Sequence, residues 1–458
     1  MSCPFANSNV TQLQSYLAAS AISQEEPAAQ TYAFDGDANI DSAATTVVSF
    51  GETMVSEPVV MDPATAAAAD QHKVVYYSDY LRVPELLDLV HPESRTRVRP
   101  GLDPAGGPVE AHDEHLFIVV HQAHELWFKQ ALHDLRSAID IIGAPTTSAA
   151  GLTLATRRIN RCRGIMDLCI TKLNILKSMD PLEFLEFRDL LMPASGFQSA
   201  QFRILENLTG LNPLDRLDYQ RESYLHYFSD DDRKRIIQSE QDLNLFQALN
   251  KWLERCPALG PDGDQAASQT DTLWNSYEQS VHSMLTQQRK TILDDKKISD
   301  EHREHLLTSL KASEDYFKML IDADEYASVS ARSDATGLPA TPIYTMTHRA
   351  LKAAVLVKMF YPRVDQLSAP HQLLNAIVEL DMSITRWRFS HSQMVQMMIG
   401  SRPGTGGSSG YQYLRSTLNE RYATFKDLVR IPTFMLTPDW APSNVASVAG
   451  LTNFAGWA

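Results

Sequence analysis

Apolar residues recur at three- and four-residue spacing along almost the whole chain after residue 75, and this spacing marks one face of an α-helix. In the stretch 113–143, Leu116, Val120 and Ala123 follow it, and Asp113 stands where a helix-capping residue is expected. The same spacing is found in the segments 154–179, 197–208, 232–256, 271–293, 300–323, 346–360, 370–400 and 410–428. The alternating pattern of a β-strand is scarce. The sequence therefore predicts an all-α protein.

The first 72 residues differ from the rest in both charge and pattern. They contain no Lys or Arg and nine Asp or Glu residues, so they carry nine of the fifteen net negative charges and leave six for the remainder. Helical spacing is present only near 12–22. We predict a flexible, acidic, low-complexity tail over 1–72 with one short helix.

One domain is predicted over 73–440, because helical segments follow one another there with polar or Gly- and Pro-rich breaks between them. The part from about 215 to 345 is more charged, and we expect it to form a helical lobe inserted into this domain. Residues 441–458 are predicted to form a C-terminal tail.

The composition argues against several classes of protein. The net charge of −15 disfavours a nucleic-acid-binding surface, which needs a basic patch. No run of 18 apolar residues is present, so no segment is expected to span a membrane. A leading segment without basic residues is neither a secretory signal nor a mitochondrial presequence. With four unpatterned cysteines, the chain is expected in a reducing, cytoplasmic compartment without disulfides.

One histidine, His391, stands in an apolar, methionine-rich helical stretch of the segment 387–410, which reads WRFSHSQMVQMMIGSRPGTGGSSG. Haem iron needs only one histidine from the protein, because the porphyrin supplies most of the remaining coordination shell. A lone buried histidine is also common in an ordinary protein core, so the spacing leaves both interpretations open. Trp387 lies one helical turn earlier and can pack against the imidazole or hydrogen-bond with it.

The loop that follows this helix is almost entirely Gly and Ser, from Gly404 to Gly410. It resembles a phosphate-binding loop, but it lacks the Lys and the preceding strand that a P-loop requires. A mobile loop that closes over a small substrate is the preferred interpretation. Thr405, near the start of this loop, can offer a hydroxyl group to that substrate.

Histidines also cluster earlier in the chain, at His112, His115, His121 and His124. The Glu-x-x-His and His-Glu-x-x-His spacings of di-iron and zinc sites are absent, which disfavours a metal centre with several protein ligands. Phe117 and His121 are four residues apart and therefore share a helix face. They either line a pocket or belong to the core, and the core is the more common case for such a pair.

Two arginines lie among aromatic residues in the segment 184–203, which reads FLEFRDLLMPASGFQSAQFR. A buried guanidinium group needs an anionic partner. Arg188 suits a bidentate contact with a carboxylate, although Asp189 or Glu186 is an equally suitable internal partner. Arg203 is a candidate for contact with a cofactor carboxylate such as a haem propionate, with a surface ion pair as the more common alternative.

Four long blocks of this sequence resemble the tryptophan 2,3-dioxygenase family, whose members are haem enzymes that open the indole ring of L-tryptophan. The resemblance extends from about residue 76 to residue 440. The blocks are YSDYLRV (77–83), HDEHLFIVVHQAHELWFKQ (112–130), FRDLLMPASGFQSAQFRILEN (187–207) and WRFSHSQMVQMMIGSRPGTGGSSGYQYLRSTLNERY (387–422).

The resemblance implies an all-α, haem-binding helical bundle of this family's type with a small helical insertion lobe. It implies haem b as the cofactor, L-tryptophan and O₂ as substrates, and N-formyl-L-kynurenine as the product. It also implies a homotetramer built as a dimer of dimers.

The resemblance assigns roles to individual residues at the cofactor and the indole. His391 matches the proximal ligand of the haem iron, and Trp387 and Arg203 are expected to contact the cofactor. His121 matches the distal histidine that meets the indole N–H and is the candidate catalytic residue. Phe117 matches the aromatic residue beneath the indole.

Other matches concern the charged end of the substrate. Arg188 matches the arginine that binds the substrate carboxylate. Thr405, beside Gly404, matches the residue that holds the ammonium and carboxylate groups. Ser195 matches a small polar residue on the distal side of the haem.

Tyr77 and Tyr80 match a pair of tyrosines that a neighbouring subunit contributes to the pocket. The sequence departs from the family at His124, where animal members usually have Tyr, and at Val83, where Leu is more usual. His124 lies about 20° from Phe117 around the helix axis, which predicts a place on the pocket side. Two alternatives remain: a related haem oxygenase acting on a modified indole or another aromatic amino acid, and a non-catalytic haem-binding protein.

Overall fold

The computed structural model describes four stretches of the chain, which are residues 75–216, 224–259, 273–330 and 345–442. The predicted acidic tail with its short helix lies outside these stretches, as does the predicted C-terminal tail except for its first two residues. Helices make up most of the described chain and no β-strand occurs in it, which confirms the prediction of an all-α protein. The predicted domain limits and inserted lobe stay predictions.

The helices of the described chain differ widely in length. In chain order they are α1 Tyr77–Leu81, α2 Val83–Leu87, α3 His112–Gly143, α4 Ala149–Leu176, α5 Pro181–Phe187, α6 Ala200–Thr209, α7 Asp230–Gln241, α8 Leu245–Glu254, α9 Leu273–Asp294, α10 Asp300–Ile321, α11 Ala323–Ser330, α12 His348–Phe360, α13 Ser368–Ile399, α14 Tyr411–Ser416 and α15 Lys426–Arg430. The longest are α3, α4 and α13, with 32, 28 and 32 residues. Two of them carry four predicted site residues, Phe117 and His121 on α3 and Trp387 and His391 on α13.

The three long helices pack together, with α4 in contact with both α3 and α13. Each helix contributes fully buried apolar side chains, such as Leu135 and Ile142 on α3, Ile159 on α4, and Ile377 on α13. Burial of a side chain of this size contributes about 1.5–3 kcal/mol. Because many such side chains interlock, the three helices form a rigid support for side chains that project from them.

Two predicted helices are divided in the structure. The segment 232–256 forms α7 and α8, because the side chain of Asn244 caps α8 and accepts a hydrogen bond from the backbone N–H of Gln247 at 2.8 Å. The segment 410–428 forms α14, a 3-10 turn and the start of α15 instead of one helix.

The start of α3 also differs from the prediction. Ala111 is the N-cap residue and no side chain caps the helix, so the capping role expected of Asp113 is wrong. The neighbouring Glu114 is fully buried and connects α3 to the preceding segment. Its carboxylate accepts hydrogen bonds from the backbone N–H groups of Glu93 at 2.7 Å and Ser94 at 3.0 Å. The carboxylate therefore accepts hydrogen bonds from two backbone N–H groups that have no partner in a helix or sheet.

We expect Glu114→Ala to lower the free energy of unfolding by about 3 kcal/mol, because it leaves two backbone donors without an acceptor. Glu110→Ala is the matched control, since Glu110 forms an exposed ion pair with Arg95 and such pairs contribute about 0–1 kcal/mol. Urea unfolding followed by circular dichroism measures both. Equal effects of the two substitutions would contradict the role given to Glu114.

Candidate active site

Side chains from α3, α5, α6, α13, α14 and the loop after α13 line a cavity with about 1210 Å³ of empty space, part of it open to solvent. A second cavity, beside Glu125 and Arg136, contains no predicted site residue. The first contains most of them, namely Phe117, His121, Arg188, Ser195, Arg203, Trp387, His391, Gly404 and Thr405.

His391 extends from α13 into this cavity. Burial, together with repulsion from His121, His124 and Arg203, lowers the pKa of His391 to about 4. The imidazole is therefore neutral at physiological pH, which is the form of histidine that binds metal ions. Its ring forms no hydrogen bond with any residue of the described chain. The ring nitrogens consequently remain available to a bound group.

Trp387 lies one turn before His391, and the two rings are stacked with 5.1 Å between centroids and 23° between planes. Phe202 of α6 also contacts Trp387, with 4.5 Å between ring centroids. These contacts restrict the orientation of the His391 ring. The Nε1–H group of Trp387 is buried and has no acceptor within the described chain. Because a buried donor without an acceptor is costly, this group indicates that a bound molecule supplies one.

His121 lies on α3 and also faces the cavity. Its Nδ1 is 2.7 Å from the carbonyl oxygen of Phe117, and a carbonyl can only accept, so Nδ1 carries the proton. Burial lowers the pKa of His121 from its usual value, which keeps the ring neutral. Nε2 is then an unprotonated acceptor. The His121 side chain can therefore accept a hydrogen bond from an N–H group of a bound molecule.

Aromatic side chains hold this part of the cavity in place. The ring of Phe117 lies 4.1 Å from that of His121, 5.7 Å from that of Phe184 and 5.5 Å from that of Phe187. Phe184 and Phe187 belong to α5, so the cluster joins α5 to α3. The cluster gives the cavity a flat apolar surface beside a single hydrogen-bond acceptor.

Arg188 follows α5, and only 12% of its side chain is exposed. Its guanidinium forms an ion pair with Asp189 at 3.4 Å and donates a hydrogen bond to the carbonyl oxygen of Pro403. Arg188 thus lines the cavity and also has the internal partner that the sequence suggested as an alternative. A guanidinium group has five N–H donors, so further donors remain for a carboxylate.

The loop after α13 lies against the segment 193–195. The Thr405 hydroxyl donates a hydrogen bond to the carbonyl oxygen of Ala194 at 2.6 Å, and the N–H of Gly404 donates to the carbonyl oxygen of Ser408 at 2.9 Å. A Cβ atom on Gly406 would lie 2.7 Å from the Cβ of Ser195, so only glycine fits at this approach. Through their hydrogen bonds, Arg188 and Thr405 therefore hold the loop over the cavity.

A buried charged cluster, of which only Arg203 was predicted, forms another part of the wall. Arg203 donates to Glu206 at 2.9 Å, and Arg388 donates to the other carboxylate oxygen at 2.8 Å. Both Glu206 and Arg388 line the cavity. The sequence could have indicated Glu206 and Arg388, because each lies one helical turn from a predicted site residue. Glu206 stands three residues after Arg203, and Arg388 stands three residues before His391.

Two tyrosines and one histidine that were expected at the pocket do not line the cavity. Tyr77 and Tyr80 on α1 are 78% and 75% exposed and do not line the cavity of their own chain. His124 is buried behind the cavity wall, with its ring nitrogens 2.8 Å from the carbonyl oxygen of Val120 and 3.2 Å from that of Cys169. Its ring also packs 6.5 Å from that of Trp387, so His124 supports the wall without forming it.

Two further features are absent from the described residues. These residues contain no group of three or more His, Cys, Asp or Glu side chains arranged to hold a metal ion. None of their helices is both long enough and apolar enough to cross a membrane.

Comparison with known proteins identifies the class. A family profile for tryptophan 2,3-dioxygenase matches residues 62–435. The tryptophan 2,3-dioxygenase of Dictyostelium discoideum is 34% identical over 401 residues, which cover 88% of this chain and 93% of that protein. The enzyme of Anopheles gambiae is 39% identical over 336 residues, covering 72% and 80%. Tryptophan 2,3-dioxygenase A of Danio rerio is 38% identical over 332 residues, covering 72% and 77%.

The all-α fold, the cavity and these relatives together define an oxidoreductase that oxygenates an organic substrate. More specifically, the chain belongs to the tryptophan 2,3-dioxygenase family, and its activity is that of a tryptophan dioxygenase.

We expect Gly406→Ala to displace the loop, because the new methyl group would overlap the Cβ of Ser195. The displacement should break the Thr405–Ala194 hydrogen bond, which contributes about 1 kcal/mol. Amide hydrogen exchange over 403–408 should therefore become roughly fivefold faster. Gly196→Ala is the control, since a Cβ atom there meets nothing within 4 Å. Unchanged protection in Gly406→Ala would show that the approach to Ser195 does not hold the loop.

Proposed function

We propose that the cavity holds haem b, with the neutral imidazole of His391 as the protein ligand of the iron. The proposal is carried by a histidine without a hydrogen-bond partner in the described chain, beside a buried Trp387 N–H without an acceptor. The lining also fits a porphyrin, because apolar side chains such as Met394 and Val395 flank His391. When bound, haem supplies the activation of O₂, whereas the protein supplies binding, orientation and exclusion of water.

Arg203 is the proposed partner of a haem propionate. Its guanidinium is buried, lies 4.6 Å from the centre of the Phe197 ring and donates to Glu206, while its Nε has no acceptor among the described residues. A planar guanidinium group with donors to spare suits a carboxylate. The Nε1–H of Trp387 is a second candidate donor to the same cofactor.

Arg188 and Thr405 are the proposed contacts of the amino-acid end of L-tryptophan, with Gly404 and Ser195 beside them. Arg188 donates to Pro403 and Thr405 donates to Ala194 within the closed loop. Substrate binding would exchange these internal contacts for contacts with the carboxylate and ammonium groups. Because the new contacts are charge-assisted, they contribute about 1.5–3 kcal/mol each and can offset the loss of the internal contacts.

His121 and Phe117 are the proposed contacts of the indole ring. The unprotonated Nε2 of His121 would accept the indole N–H, while the ring of Phe117 offers a flat apolar surface. A neutral hydrogen bond of this kind contributes about 1 kcal/mol net. Its main effect is therefore to orient the indole C2–C3 bond for oxygenation, which gives N-formyl-L-kynurenine.

The assembly and compartment are also proposed. The exposed Tyr77 and Tyr80 would enter the cavity of a neighbouring subunit in a homotetramer, since they are largely free of their own chain. An acidic chain with few cysteines suits a cytoplasmic enzyme. L-tryptophan and O₂ are the proposed small-molecule partners.

We expect His391→Ala to lose stoichiometric haem, because the substitution removes the proposed protein ligand of the iron. Pyridine haemochrome analysis of the purified protein measures the haem content. His371→Ala is the control, because His371 lies outside the cavity. A five-coordinate histidine spectrum that persists in His391→Ala without added imidazole would rule out this ligand.

We expect Arg188→Leu to lower kcat/KM for L-tryptophan ten- to a hundredfold or more, which corresponds to the loss of about 1.5–3 kcal/mol of charge-assisted contact. The variant should discriminate much less than the wild type between L-tryptophan and tryptamine, which lacks the carboxylate. Arg402→Leu is the control, since Arg402 is on the same loop as Pro403 but does not line the cavity. Equal turnover of tryptamine and L-tryptophan by the wild type would refute the role of Arg188.

A further inference from the structure

Glu206 is a carboxylate buried at the cavity wall among arginines. Only 2% of its side chain is exposed. One carboxylate oxygen accepts from Arg388 at 2.8 Å, and the other accepts from Arg203 at 2.9 Å and from Arg216. Arg203 and Arg388 line the same cavity as His391. The cluster thus joins α6, which carries Arg203 and Glu206, to α13, which carries Arg388 and His391.

The Glu206 carboxyl is ionised at physiological pH. Its burial opposes ionisation, but the positive charges of Arg216, Arg203 and Arg388 outweigh that effect and hold the pKa of Glu206 well below its usual range. A fixed negative charge therefore lies in a region with little water. In such a region charges act on one another over longer distances than at a protein surface.

Arg388 connects the carboxylate of Glu206 to the helix that carries His391. One guanidinium nitrogen donates to Glu206 and another donates to the carbonyl oxygen of Tyr422 at 3.3 Å. The guanidinium also lies 5.2 Å from the centre of the Tyr422 ring. Arg388 stands three residues before His391, which places both side chains on the same side of α13. The anchored arginine therefore fixes the rotation of this helix turn.

We infer that Glu206 and Arg388 are positioning residues that set the reduction potential of the iron held by His391, with Glu206 lowering it and Arg388 raising it. The inference rests on the proposed haem site. A negative charge near the iron favours the ferric form, and a positive charge favours the ferrous form, which is the form that binds O₂. Arg203 and Arg216 complete the cluster, so three arginines surround the one carboxylate.

Because the two charges have opposite signs, removing one or the other should shift the reduction potential in opposite directions. Glu206→Gln removes a negative charge without changing side-chain size, so the potential should become more positive. Arg388→Met removes a positive charge and keeps an unbranched chain, so the potential should become more negative. At an effective dielectric constant of about 20, a unit charge about 10 Å from another changes an equilibrium roughly tenfold. A tenfold change corresponds to about 59 mV for one electron, so shifts of this order are expected.

The experiment is a spectroelectrochemical titration of the purified holoprotein at one pH, with the wild type, the two variants and the double variant. The double variant should lie near the wild type, because the two opposite shifts cancel. Arg388→Lys should lie closer to the wild type than Arg388→Met, because it keeps the charge. This conservative variant also tests the inference if Glu206→Gln fails to fold. Glu254→Gln is the control, since Glu254 hydrogen-bonds with Asn250 and Thr347 outside the cavity.

Shifts of opposite sign in Glu206→Gln and Arg388→Met, with no shift in Glu254→Gln, would support the inference. Shifts of the same sign would overturn it, because they indicate general disruption of the cavity. Potentials equal to the wild type in haem-loaded variants would also overturn it, while leaving the proposed haem site intact. A wild-type protein that binds no haem would instead refute the proposed function and this inference together.

Discussion

The packing of α4 against both α3 and α13 is the constraint on which the rest of the structure depends. It fixes the two helices that carry His121 and His391, whose rings are close enough for one to depress the pKa of the other. Shorter elements then complete the cavity: α5 adds the aromatic surface, α6 adds the charged wall, and the loop after α13 closes the opening. A cavity built in this way presents neutral imidazoles on rigid helices and charged groups at its edges.

The electrostatics of the cavity follow from that construction. Burial keeps His121 and His391 neutral, so that one can accept a hydrogen bond and the other can bind a metal ion. Charged groups are tolerated only where they are paired, as in the cluster around Glu206 or the contacts of Arg188. Several buried N–H groups of the cavity wall have no acceptor among the described residues, namely those of Trp387 Nε1, Arg203 Nε and Arg388 Nε, and Trp387 stands next to the proposed iron ligand. Such unsatisfied groups are expected at a functional site.

The helix-forming segments could be predicted from the spacing of apolar residues, because the apolar face of each helix packs against its neighbours. The division of 232–256 could not, since it depends on the side chain of Asn244 capping a new helix. Spacing alone also left His391 ambiguous, and only the long motif blocks suggested a shared cavity. The ion pair between Glu206 and Arg388 spans 182 residues of sequence, so local spacing can place each residue beside a predicted site residue but cannot predict that the two pair with each other.

Oxygen-isotope labelling of the product tests the central claim most directly. The protein would be reduced anaerobically, given L-tryptophan and then ¹⁸O₂, and the product would be analysed by mass spectrometry. We expect N-formyl-kynurenine that contains both atoms of one O₂ molecule, formed by the wild type and not by His391→Ala. A product with a single labelled oxygen atom would contradict the claim and indicate a monooxygenase. Normal haem binding without any product would contradict it as well, because the cavity would then bind haem for a purpose other than catalysis.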